Sequence, residues 1–131
     1  MNSKSRFLVP SLADVFFLCS FLILSLDGGK KLLNDAGTGF HIRTGQYIMA
    51  HMSVPRYDIF SHITPPLPWF AHEWLSAVIM ASIHRVFGLI GVVLFFSFLI
   101  SLTYFFLFKF VRATSNNIVF AALVVFLATV S

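Results

Sequence analysis

The sequence is short of charge and almost without cysteine. Charged residues make up 11% of its 131 positions, against about 25% in an ordinary soluble domain. That excludes a typical soluble globular domain and a charge-rich disordered tail. The one cysteine, Cys19, lies inside an apolar run, which excludes a disulfide scaffold. No Gly-rich phosphate loop occurs, since Gly37-Thr38-Gly39 is too short to be one. His41 and His51 are ten positions apart, as are His62 and His72. Neither pair fits the i, i+4 spacing of a helical zinc site. The net charge is +4, but the basic residues are scattered, so nucleic acid is not indicated as a partner.

What is abundant is apolar bulk. Hydrophobic residues make up 58% of the chain, and Phe alone contributes 17. This points to an integral membrane protein whose first partner is the lipid bilayer. The hydrophobicity is divided unevenly. Residues 7–26 form a first apolar run with only Asp14 charged, and no small-residue cleavage site follows it. Residues 74–87 and 87–108 read as second and third helices, with Gly88 and Gly91 marking a turn between them. A fourth run begins at Ile118 and is still apolar at Val130. It is shorter than the roughly 20 residues a helix needs to cross a bilayer, so the chain is expected to be the N-terminal piece of a longer membrane protein. The expected fold is therefore all-α and polytopic, with one long polar extramembrane loop over residues 27–73.

That loop holds four of the five acidic residues, four of the five histidines and four of the five prolines. A short juxtamembrane helix is expected over residues 38–52. Pro65-Pro66 and Pro68 then force irregular backbone. Trp69 and Trp74 flank the return to lipid, where amphipathic rings settle at the interface. With a cytoplasmic N-terminus and three separate spans, the cytoplasmic side carries three basic residues and the outer side six. This opposes the positive-inside rule.

Asp35, His41, Arg43, Asp58, His62, His72 and Glu73 are the chemistry-bearing residues of the loop. A carboxylate beside a membrane can act as a general base or hold a divalent cation, while Arg and His can hold a phosphate. Each also has a plain structural use. Asp35 can cap a helix, Asp58 can form a turn, and His72-Glu73 can cap the second helix.

Three ordered segments carry a resemblance. They run Asp35-Ala36-Gly37-Thr38-Gly39-Phe40-His41-Ile42-Arg43-Thr44-Gly45, then Val54-Pro55-Arg56-Tyr57-Asp58-Ile59-Phe60-Ser61, then Pro68-Trp69-Phe70-Ala71-His72-Glu73-Trp74-Leu75. Together they resemble the N-terminal part of bacterial GT-C type membrane glycosyltransferase-like proteins, a group related to the protein mannosyltransferase and aminoarabinose transferase families. The group's pattern is roughly D-x-G-x-x-W-H-[LI]-x-x-G, P-x-x-D-x-F-S and P-W-x-x-H-E-W-L. Phe40 stands where Trp is common, and a single acid at Asp35 replaces the frequent pair, which weakens a metal site.

The resemblance implies a polyprenyl-phosphate-linked sugar as donor and a hydroxyl acceptor. The site would lie in an extracytoplasmic loop at the bacterial inner membrane. Asp35 falls at the position of the general base. Asp58, His72, Glu73, His41 and Arg43 fall where substrate is bound. A divalent cation is left open as cofactor, and the fragment alone is expected to be inactive. The alternative is a non-enzymatic integral membrane protein whose polar loop binds lipid or packs on partner helices.

Overall fold

The computed structural model describes residues 11–26, 33, 37–62 and 64–130. Among these the chain is all-α, with four helices and one isolated antiparallel bridge between Tyr57 and Pro68. Helix α1 spans Leu12–Leu26, α2 spans Gly37–His51, α3 spans Trp74–Ser115 and α4 spans Ile118–Val130.

Helix α1 starts at Leu12, where Ser11 and Asp14 form a reciprocal cap; the expected residues 7–10 of this run lie outside the described residues. The Ser11 amide and hydroxyl donate to Asp14 Oδ2 at 2.6 and 2.7 Å, and the Asp14 amide points back at Ser11 Oγ at 3.4 Å. A capping pair satisfies backbone donors that the first turn of a helix leaves open. Asp14, the one acid in the first apolar run, is thereby accounted for as part of that cap.

The expected second and third helices follow one another as α3, and the expected break between them is a kink at Gly88, whose φ is 66° and ψ −163°. Gly91 lies in regular helix. Helix α3 therefore bends at Gly88. It is the one helix among the described residues both long and apolar enough to cross a membrane. Its last turn ends at Asn116, which adopts φ 52° and donates its amide to the Arg112 carbonyl at 2.9 Å. Asn tolerates this left-handed conformation better than most residues. Asn117 then caps α4, accepting the Val119 and Phe120 amides on Oδ1 at 2.9 and 3.2 Å.

The chain divides into two compact units. In the unit of residues 1–28 and 94–131, the core is Ala13, Phe108, Ala121 and Val125, with Phe16, Tyr104 and Phe105 packed around it. The ring of Phe16 lies 5.3 Å from that of Phe108, while Phe17 meets Phe105 at 6.5 Å and Phe98 at 5.8 Å. Later residues of α1 thus meet earlier residues of α3, so the two run antiparallel. Tyr104 Oη donates to the Ala128 carbonyl at 3.4 Å, which fits an antiparallel return of α4. The other faces carry exposed Leu18, Leu22, Ile23, Phe106, Phe110, Phe126 and Leu127. A water-soluble surface rarely gathers so many large apolar side chains.

In the unit of residues 29–93, α2 packs on the first turns of α3. Gly45 makes the approach possible. A Cβ there would collide with the Ala77 carbonyl and with the Cβ of Ala81. Ile42, Ile48, Ala77, Met80 and Ala81 are buried in this unit, and Ser82 Oγ reaches Met49 Sδ at 3.5 Å. Small residues facing each other let the two backbones close up.

Candidate functional site

Residues 54–74 fold back on themselves through a short main-chain ladder. The Asp58 amide donates to the Leu67 carbonyl and the Trp69 amide to the Arg56 carbonyl, each at 2.9 Å. This pairing sets Arg56 beside the stretch that leads into α3. Beyond it the Trp74 amide donates to the Ala71 carbonyl at 3.2 Å and the Ala77 amide to the Glu73 carbonyl at 2.9 Å, which starts the helix.

The three sequence segments converge through aromatic rings, one from each. Phe40 lies 4.6 Å from Phe60 and 5.5 Å from Trp69, and Phe60 lies 6.4 Å from Trp69. Ring pairs at such distances add roughly 0.5–1.5 kcal/mol beyond their buried area. Next to this trio, His41 Nε2 stands 3.2 Å from Glu73 Oε2. The first and third segments are therefore held together by a ring contact and by a polar pair.

The other expected site residues do not join that pair. Arg43 turns to Gln46, its Nη1 donating to Oε1 at 3.2 Å. Asp58 is occupied by its own turn, accepting the Phe60 amide at 2.8 Å and the Ser61 amide at 3.2 Å on Oδ1. These bonds hold its carboxyl below the ordinary aspartate range, with Phe60 the larger cause and Ser61 adding to it. Asp35, the expected base, lies outside the described residues. Among the described residues no three His, Cys, Asp or Glu side chains converge on a metal position. The divalent cation left open above therefore has no ligand set within them.

His72 belongs to a different feature. It lines an open cavity of about 470 Å³ together with Arg56, Val54, Pro55, Phe70, Ala71 and Trp74. One imidazole and one guanidinium thus share a cavity whose other side chains are apolar. Arg56 was missing from the expected substrate-binding set. Its signal was its place in the second segment, but only the 56–69 pairing brings it to His72. The ring trio was also not anticipated, although each segment displays one of its members.

The chain matches no family model, no curated protein and no solved structure.

Proposed function

We propose that the chain is the N-terminal part of a membrane glycosyltransferase of the GT-C type, working on a polyprenyl-phosphate-linked sugar. The observation that carries this reading is the mixed cavity of Arg56 and His72 with Val54, Pro55, Phe70 and Trp74. A phosphate bound to a hydrocarbon chain is itself half anion and half oil. A guanidinium holds phosphate oxygens by charge-assisted hydrogen bonds, and apolar walls accept the first isoprene units. In this reading Arg56 and His72 receive the donor phosphate and stabilise it as it leaves. Asp35 takes the proton of the acceptor hydroxyl. His41 and Glu73 hold the first and third segments together, Asp58 shapes the turn of the second and Arg43 bonds within α2, so these four support the site instead of touching the donor.

In the same proposal the protein is polytopic and sits in the bacterial inner membrane, with the loop extracytoplasmic. Residues 86–108 of α3 form the principal crossing, bounded by Arg85 and Lys109. The antiparallel packing of α1 on α3 puts Lys109 and Arg112 at the same end of their unit as Ser11, and Lys4 and Arg6 precede α1 in the sequence. The basic residues then divide as four (Lys4, Arg6, Lys109, Arg112) and five (Lys30, Lys31, Arg43, Arg56, Arg85). With one crossing over residues 86–108, the imbalance narrows from three against six to four against five, with the larger number still on the loop side.

Photo-cross-linking with a benzophenone-bearing isoprenyl phosphate tests the reading. Label is expected within residues 54–56 and 70–74, and is expected to fall in the Arg56→Ala, His72→Ala double variant. Undiminished labelling in that variant would remove the cavity from the donor path. In the full-length protein, Asp35→Asn is expected to abolish sugar transfer while leaving membrane insertion unchanged. In a Cys19→Ser background, Ser53→Cys and Thr114→Cys are expected to label from opposite sides of the membrane. Labelling from one side would refute the single crossing.

A further inference from the structure

A second cavity, of about 340 Å³, opens where the start of α1 meets the end of α3, and it lies outside the polar loop altogether. Ser11, Ala13, Phe108, Lys109, Arg112, Ala113 and Asn116 line it. Its floor is apolar: Ala13 and Phe108 are core residues, exposed by only 2% and 1%. Its rim carries two cations and one carboxamide. Lys109 Nζ sits 4.5 Å from the centroid of the Phe105 ring, a contact that fixes the ammonium without neutralising it. Among the described residues, the guanidinium of Arg112 has no carboxylate within ion-pair reach.

The charge balance favours one anion. The start of α1 and the end of α3 each contribute about half a charge, of opposite sign, and these offset. Asp14 opposes an anion, but its Oδ2 is engaged by the Ser11 amide and hydroxyl. Two full cations against one carboxylate leave about one positive charge, which matches a phosphodiester. The site also falls at the right depth. Lys109 directly follows the uncharged stretch 86–108, so the rim stands at headgroup level when that stretch crosses the bilayer.

The geometry points to this cavity as a binding site for the phosphate of an anionic phospholipid, held by Lys109, Arg112 and Asn116 with the acyl chains running down the exposed apolar faces of α1 and α3. The inference rests on the membrane-crossing reading of α3 and not on the transferase reading. It concerns a different place in the chain and would stand if no sugar were transferred. A tightly held lipid here would fasten the α1–α3 contact to the leaflet on the N-terminal side.

Native mass spectrometry of the purified chain, released from detergent with added lipid, tests this. Dioleoyl phosphatidylglycerol is expected to remain bound to the wild type in preference to dioleoyl phosphatidylcholine. The Lys109→Gln, Arg112→Gln variant is expected to lose about thirtyfold in retained phosphatidylglycerol, taking each interfacial cation as worth about 1 kcal/mol. Ala113→Trp, which fills the cavity and changes no charge, is expected to displace the lipid too. Arg85→Gln, a cation lost elsewhere, is expected to leave retention unchanged. An equal loss in Arg85→Gln would show a bulk charge effect and overturn the site, as would full retention in Ala113→Trp. Displacement of the lipid by millimolar inorganic phosphate would overturn the lipid assignment in favour of a free-phosphate site. Circular dichroism of every variant separates loss of the site from loss of the helices.

Discussion

His41 Nε2 and Glu73 Oε2 lie 3.2 Å apart, although they come from opposite ends of the polar segment. The pair closes that segment onto the start of α3. Glu73 is 68% exposed and His41 30%, so water screens much of their attraction. Pairs of this kind contribute roughly 0.2–1 kcal/mol. A double-mutant cycle with His41→Ala and Glu73→Ala, read by thermal unfolding in detergent, is expected to give a coupling within that range. A coupling above about 2 kcal/mol would mean that the pair is desolvated, contrary to its exposure.

Gly45 and Gly39 sit on the same helix and predict opposite outcomes. A methyl at Gly45 meets the Ala77 carbonyl and Ala81, while one at Gly39 meets nothing within 4 Å. Gly45→Ala is expected to destabilise the unit by about 1–3 kcal/mol. Gly39→Ala is expected to be neutral or to stabilise by up to about 1 kcal/mol, because Ala suits a helix better than Gly. Thermal unfolding of the two variants side by side decides whether the α2–α3 contact is as close as described.

Asp58 supplies a pH dependence with a definite sign. Its carboxyl is held below the ordinary aspartate range by the Phe60 amide and by Ser61. A depressed carboxyl contributes to folding above its unfolded value of about 3.9, and that contribution fades as pH falls through the folded value. The 58–61 turn is therefore expected to stay intact at neutral pH and to loosen only below about pH 4. Carboxyl carbon chemical shifts followed against pH check this, with the Phe60 amide shift expected to titrate in step. A midpoint above the ordinary aspartate range would count against the turn. Asp58→Ala is expected to speed proteolytic cleavage within residues 58–62.

Gly88 occupies φ 66°, ψ −163°, a region that residues with a Cβ almost never enter. There is open space around it, so the constraint is the backbone itself. Gly88→Ala is expected to cost about 1–3 kcal/mol. Were the helix able to run straight through this position, the same change would stabilise it by up to about 1 kcal/mol. The sign of the shift in melting temperature separates the two.

Much of the fold was legible because it rests on composition. The apolar runs, the short helix near residues 38–52 and the polar stretch between them all follow from where charge, Pro and Gly fall. The helix boundaries were less legible. Gly88 does mark a break, a kink at one residue, whereas Gly91 lies in regular helix. The cap on the first turn of α1 is a side-chain bond between Ser11 and Asp14, which apolar periodicity does not register. Within the loop, residue type alone could not tell Asp58, whose bonds are local, from Arg56, which main-chain pairing carries to His72. Long-range neighbours of that kind depend on backbone pairing and ring packing across dozens of residues.

The Ser11–Asp14 cap has a consequence for where α1 sits along its own axis. A helix capped by water can fray or lengthen by a turn as its surroundings change. One whose first turn is closed by its own side chains has a fixed origin. Residues added before Ser11 should then leave Phe16 opposite Phe108, whereas a residue inserted after Asp14 would rotate that face by about 100° and set the rings out of phase. The cap acts as the zero mark from which the α1–α3 register is counted.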